Sequence, residues 1–161
     1  MALSRQAVFA TLSPSHQSIV ERIHLALEDY VRPRKLGRLW TAPMEVVLDR
    51  REGIVLKPDL IFIAEGRESI VSEFVYGPPD MVLEVTSLPL GPSKEKLEAR
   101  VGWFSVYGVR EYWLIHYEQR DAVVLELAHG GVRRRSLFPG ETPLRSPLFP
   151  DFDRSLAEIL A

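Results

Sequence analysis

The chain has 161 residues, which is the size expected of one domain covering residues 1–161. Hydrophobic residues make up 46% and charged residues 26%, which are globular proportions, and no run approaches the roughly 18–20 apolar residues of a membrane span. The net charge of −2 provides no general attraction for nucleic acid, and the lack of cysteine excludes disulfides, a thiol nucleophile and a zinc ribbon. We therefore expect a cytoplasmic globular protein with no membrane partner.

The chain begins with a predicted helix. Ser13 followed by Pro14 is typical of an N-cap with proline at the first helical position, and apolar residues then recur at helical spacing. These features predict a helix over residues 14–31 that ends at Pro33. Three polar residues on or beside it are interpreted as solvated surface: His16, Glu21 and Glu28.

Antiparallel strands are predicted within residues 38–63. The last of them, residues 60–63, is apolar enough to be buried. Pro58 removes a backbone donor and marks the start of this strand, so Asp59 lies where the chain enters the core. Aspartate beside proline is also common in turns, so this position alone assigns no function. Residues 64–79 are predicted to be a loop.

The next strand, residues 80–86, carries a carboxylate in its middle. Side chains alternate across a strand, so one face holds Asp80, Val82, Glu84 and Thr86. An isolated ionised carboxylate is too costly to keep in a core. Glu84 therefore requires a cation, a hydrogen-bond partner or an opening to water.

A second helix is predicted after a loop at residues 87–92. Ser93 is a plausible N-cap, and Gly108 is a natural stop, so the helix is predicted to end near Tyr107. Its apolar face is formed by Leu97, Val101 and Phe104. Lys96 and Arg100 lie on the adjacent stripe, four residues apart, and both are able to point in one direction.

The remaining pattern predicts three strands and a short helix. The strands are residues 112–117, 122–127 and 132–138, and the helix covers about 153–160 with Asp153 as its cap. The strand–helix–strand passage at residues 80–117 implies a right-handed crossover and a parallel pair. The other strands are joined by short turns. We therefore predict an α/β (mixed α+β) fold, with a central mixed sheet flanked by helices.

Asp59 and Glu84 are the candidate metal ligands. If their strands pair, the two carboxylates come together, and such hard oxygen donors suit Mg²⁺ or Mn²⁺. Lys96 or Arg100 would add a positive charge near a scissile phosphate. Asp80 shares a face with Glu84 but lies roughly 13 Å away along the strand, which makes it a weaker ligand candidate. The alternative is a buried ion pair of Glu84 with one of the two basic residues, and spacing alone leaves both interpretations open.

Three segments carry a family resemblance: Lys57–Leu60, Pro79–Ser87 and Gly108–Ile115. His16 and the tail at residues 139–152 also fit. In this order, the segments resemble the Uma2 family, also called DUF820, of restriction-endonuclease-like proteins. The resemblance implies the PD-(D/E)xK nuclease fold, with Asp59, Glu84 and the carbonyl of Val85 binding Mg²⁺ or Mn²⁺ and DNA as the substrate.

The chain departs from the pattern of the wider nuclease class at two positions. Thr86 occupies the position of a lysine, and the relatives that resemble this chain carry that lysine on the following helix. Spacing from Gly108 assigns the role to Arg100, whereas local similarity favours Lys96. His116 is the second departure, because the family tends to carry aspartate there.

Three functional hypotheses follow. The first is a Mg²⁺-dependent DNA endonuclease, a homodimer if both strands are cut, with Glu21 or Glu28 as an accessory acid of the kind this nuclease class often uses. The second is a catalytically degenerate module of the same fold that binds DNA or protein, favoured by Thr86. The third is a structural or regulatory dimer whose buried acids are ion-paired.

Overall fold

A computed structural model describes residues 13–86 and 93–161; the predicted loop at 87–92 lies outside these residues. The helices are α1 (Pro14–Arg34), α2 (Lys94–Tyr107) and α3 (Leu156–Ile159). The strands are β1 (Gly37–Thr41), β2 (Val46–Asp49), β3 (Ile54–Leu56), β4 (Leu60–Ala64), β5 (Val75–Tyr76), β6 (Met81–Thr86), β7 (Glu111–His116), β8 (Asp121–Ala128) and β9 (Gly131–Phe138). Among the helices of the described ranges, none combines the length and apolarity needed to cross a lipid bilayer.

The main sheet has six strands in the order β1-β4-β6-β7-β8-β9. Strands β6 and β7 are parallel, and all the other neighbours in this sheet are antiparallel. The predicted mixed sheet and its one parallel pair, connected through α2, are therefore confirmed. A second sheet, β3-β2-β5, packs beside it and was not predicted as a separate layer.

The helices cover the two faces of the main sheet. Alternation along β6 sends Leu83 into the core beneath α1 and Val82 into the core beneath α2. Strand β7 alternates in the same way, with Trp113 on the α1 side and Tyr112 on the α2 side. Both faces of the central strands are thus buried, and a polar side chain on either face needs a partner there.

Two predicted helix boundaries and one predicted loop are wrong. Helix α1 continues through Pro33 to Arg34, because the bond that proline removes would go to the carbonyl of the exposed Asp29, which water can reach. Helix α3 begins later than predicted, and its cap is Ser155, which a bridge to Pro143 holds in an extended conformation. The predicted loop at 64–79 contains a 3₁₀ turn and β5, whose pairing with distant β2 has no local sequence signal.

The buried carboxylate of Glu111 joins the C-terminal segment to the sheet through hydrogen bonds. Glu111 is 2% exposed and accepts hydrogen bonds from Trp113 Nε1 at 2.9 Å, Ser146 Oγ at 2.6 Å and the Leu148 N–H at 3.2 Å. Burial raises the pKa of Glu111, these three donors lower it, and the facing Glu126 raises it further. The net direction is upward, so the folded protein binds this proton more readily than the unfolded chain does.

We expect Gly37→Ala to destabilise the fold. Gly37 has a φ of +152°, and a Cβ at this position would collide with the Ile63 carbonyl and the Phe62 ring. The loss should be about 3 kcal/mol or more, since overpacking and backbone strain combine. Gly102→Ala is the matched control, because it adds the same methyl group within α2, where nothing lies within 4 Å, and should stabilise by about 0.5–1 kcal/mol. Urea unfolding of both variants tests this; equal effects would contradict it.

Glu111 should give a measurable pH dependence of stability. Its pKa is raised on folding, so its contribution to stability is full below the unfolded value of about 4.3 and is lost as pH rises through the folded value. Glu111→Gln cannot ionise, so its free energy of unfolding should fall less over that range than that of the wild type. Urea titrations at a series of pH values measure the difference. Parallel curves for the two proteins would contradict the assignment, and Glu118→Gln, in an exposed turn, is the control.

Candidate functional site

The two predicted ligands, Asp59 and Glu84, meet at one end of the β4–β6 pair. Leu60 faces Leu83 in this antiparallel register, so the next pair outward is Asp59 with Glu84. Asp59 Oδ2 accepts the Val85 N–H at 2.8 Å, which fixes the two strand ends against each other. The residues therefore come together as their sequence positions predicted.

Asp59 is held by groups from three parts of the chain. Its second oxygen, Oδ1, lies 2.9 Å from His16 Nε2 on α1, and its backbone carbonyl accepts the Ala42 N–H at 2.9 Å. His16 is 5% exposed, so the interpretation of this residue as solvated surface is wrong. The reason is positional: Ser13 caps the helix through the His16 N–H, and the first turn presents the imidazole to the sheet.

Glu84 has two partners, and both bind the same oxygen. Arg100 Nη1 and the Tyr112 hydroxyl each donate to Glu84 Oε2 at 2.9 Å. Burial raises the pKa of Glu84; the Arg100 charge and the Tyr112 hydrogen bond oppose this shift, and the nearby Asp59 charge adds to it. The same burial raises the pKa of Tyr112, so its hydroxyl remains a donor. The ion pair considered from the sequence is present, and its cation is Arg100.

Lys96 does not reach the carboxylate pair in this structure. Its side chain is exposed, and its backbone N–H donates to the Ser93 cap at 3.3 Å. Arg100 lies one turn further along α2, its side chain is only 29% exposed, and its guanidinium reaches Glu84 on β6. Thr86 lies opposite His116 in the parallel register, and no cation takes the place of the class's lysine there among the described residues.

The accessory acids lie elsewhere. Asp80, at the opposite end of β6, accepts from Arg67 Nη1 and from the Ala64 N–H, each at 2.7 Å. Glu28 bonds His24 at 3.1 Å and lies about 18 Å along α1 from His16, at 1.5 Å per residue. Glu21 is exposed on α1. These three acids do not join the carboxylate pair.

From the sequence, Tyr112 was placed in a strand and was assigned no role in the site. A signal for its role was present in the parallel pairing of β6 with β7. Tyr112 faces Val82 and Leu114 faces Glu84, so Tyr112 shares a sheet face with Glu84 and is its diagonal neighbour. A long aromatic side chain can reach across that diagonal, which is how its hydroxyl bonds Glu84.

The carboxylates of Asp59 and Glu84 fit Mg²⁺ or Mn²⁺ whose remaining ligands are water molecules. They do not form a complete set of protein ligands. Across residues 13–86 and 93–161, no group of three or more His, Cys, Asp or Glu side chains is arranged to hold a metal. Mg²⁺ characteristically uses one or two carboxylates and keeps several waters. Asp59 and Glu84 supply two, and the hydrogen bonds that Glu84 accepts from Arg100 and Tyr112 both go to Oε2.

Comparisons with known proteins agree with this architecture. A family model described as "Uma2: Putative restriction endonuclease" matches residues 6–157. Among solved structures, the chain is similar to one described as a "putative nuclease belonging to DUF820" from Anabaena variabilis ATCC 29413, with a TM-score of 0.71 and 15% identity over 91% of this chain and 80% of that chain. At this identity the likeness shows a shared fold. No curated protein matches the sequence.

We expect Tyr112→Phe to destabilise the protein by about 1.5–3 kcal/mol, the range for a hydrogen bond to a charged group. Tyr112 is fully buried and phenylalanine keeps its shape, so the change removes only the hydroxyl that donates to Glu84. Guanidinium unfolding measures the loss. Tyr30→Phe is the matched control, since Tyr30 is also buried but its ring packs on Phe149 and Phe152. Equal effects of the two variants would contradict the role of Tyr112.

Proposed function

Because the chain belongs to the Uma2 family, we propose that it is a metal-dependent endonuclease that hydrolyses phosphodiester bonds in DNA. The observation that carries this proposal is the meeting of two carboxylates, the buried Asp59 and the part-buried Glu84, at the end of two paired strands beside an arginine. Two acids so close repel each other, and a divalent cation is the ligand that such a pair attracts best.

Each residue of the site has a distinct role in this proposal. Asp59, Glu84 and the Val85 carbonyl would hold Mg²⁺ or Mn²⁺, which when bound lowers the pKa of a water and polarises the phosphate. Arg100 presents a fixed positive charge beside Glu84, suited to the oxygens of a phosphate. A guanidinium keeps its proton at every physiological pH, so Arg100 orients and neutralises charge and removes no proton.

The proposal includes a homodimer if both DNA strands are cut, because one site cleaves one strand. In that case, double-strand breaks should rise with the square of protein concentration while nicking rises linearly. Size-exclusion chromatography with light scattering would measure the oligomeric state directly.

The second candidate function is a catalytically degenerate module that binds DNA or another protein. Two observations favour it: Glu84 is already neutralised by Arg100, and Thr86 stands where the wider nuclease class carries its lysine. If this candidate is correct, no divalent metal supports DNA cleavage, whether or not the protein binds DNA.

Plasmid cleavage decides between the candidates. Supercoiled DNA is incubated with the wild type in Mg²⁺ or Mn²⁺, and with Asp59→Asn and Glu84→Gln, which keep side-chain size and remove the charges that bind the ion. We expect nicking by the wild type and a loss of about 100-fold or more in each variant. Circular dichroism confirms that the variants are folded.

The same assay assigns the cation. Arg100→Ala should reduce nicking strongly, Arg100→Lys should retain part of the rate because it keeps the charge, and Lys96→Ala should have the smaller effect because its side chain is exposed. A larger loss in Lys96→Ala than in Arg100→Ala would overturn the assignment. A folded wild type that cuts no form of DNA in any divalent metal would overturn the endonuclease itself in favour of the second candidate.

A further inference from the structure

His16 is a buried polar residue whose contact is not explained by packing alone. Its imidazole is 5% exposed, and Nε2 lies 2.9 Å from Asp59 Oδ1. Resting on the proposed function, we infer that His16 is a positioning residue: it fixes the Asp59 carboxylate in the orientation that receives the metal ion.

The position of the hydrogen in the contact between His16 and Asp59 follows from the chemistry of the two side chains. An ionised carboxylate has only acceptors, so the hydrogen of the bond lies on His16 Nε2. That nitrogen is therefore engaged with Asp59 and has no lone pair free for a metal. Through this contact His16 holds the Asp59 carboxylate, as second partners of metal-binding side chains commonly do.

Two donors from different elements determine the plane of the Asp59 carboxylate. His16 on α1 donates to Oδ1, and the Val85 N–H on β6 donates to Oδ2 at 2.8 Å. Both donors belong to hydrogen-bonded backbone: Ser13 Oγ accepts the His16 backbone N–H at 3.1 Å, and Val85 lies within a paired strand. Each carboxylate oxygen has a second lone pair, so both remain able to bind a cation while this pair of donors is in place.

The other buried side chains of α1 show which residue types pack this helix on the sheet. The other buried residues of this helix are Val20, Ile23, Ala26, Leu27, Tyr30 and Val31, which pack on the sheet through apolar atoms. An apolar residue at position 16 would fill the same space without the cost of desolvating an imidazole. The one imidazole among these buried side chains lies at the turn that contacts Asp59.

The test uses variants that separate the hydrogen bond from packing. His16→Leu fills the space without a donor, and His16→Gln can return a side-chain N–H to the position of Nε2. Val20→Ala is the matched control, because it loosens α1 one turn away on the same buried face without touching Asp59. Isothermal titration calorimetry with MnCl₂ measures metal affinity without substrate, thermal unfolding reports stability, and plasmid nicking reports the rate.

We expect His16→Leu to weaken Mn²⁺ binding by about 10–100-fold, as loss of a ligand's partner commonly does. His16→Gln should recover most of this affinity, and Val20→Ala should bind Mn²⁺ as the wild type does even if its melting temperature falls equally. Nicking rates should follow the affinities at low Mn²⁺ and converge at saturating Mn²⁺ for variants that only bind less tightly.

Two results would overturn the inference while the proposed function stands. One is a His16→Leu variant that binds Mn²⁺ like the wild type while Asp59→Asn does not bind. The other is a Val20→Ala variant that loses affinity as much as His16→Leu, which would reduce His16 to a packing role. A folded wild type that neither binds Mn²⁺ nor cuts DNA would instead overturn the proposed function, and the inference with it.

Discussion

Two carboxylates on facing positions of neighbouring strands repel each other, and each loses hydration as the core closes around it. Asp59 and Glu84 are in this situation, and the surrounding fold supplies one set of donors to each. Asp59 receives its donors from α1 and β6, and Glu84 receives its donors from α2 and β7. Four elements thus converge on one end of the β4–β6 pair, and shifting any of them would leave one of the two acids with a single donor.

The arginine compensates this charge only in part. With both acids ionised, Arg100 balances one of their two negative charges. The raised pKa of Glu84 points the same way, because it shows that burial and Asp59 outweigh the two favourable partners. The ion pair with Arg100 is therefore compatible with the proposed metal site, because it steadies Glu84 and leaves one of the two carboxylate charges unbalanced.

Alternation and spacing predicted the parts of this site that depend on local sequence. The Asp59 strand start, the buried Glu84 and the crossover that makes β6 and β7 parallel all follow from patterns within a few residues. The choice between Lys96 and Arg100 did not follow, because both lie on one helical stripe and only the placement of α2 against β8 and β9 separates them. His16 was misassigned for a related reason, since its partner lies 43 residues away and no local pattern connects the two.

The small sheet, which the sequence did not predict as a separate layer, helps to place the cation. The Tyr107 hydroxyl donates to Asp49 Oδ2 at 2.5 Å, which joins the C-terminal end of α2 to strand β2. Arg100 lies two turns before Tyr107 on the same helix, so this contact fixes the rotation and the height of the helix that carries the guanidinium. A lysine within β6 would need no such support, because its strand already determines its position. The position of the Arg100 guanidinium therefore depends on a layer that contributes no hydrogen-bond partner to Asp59 or Glu84.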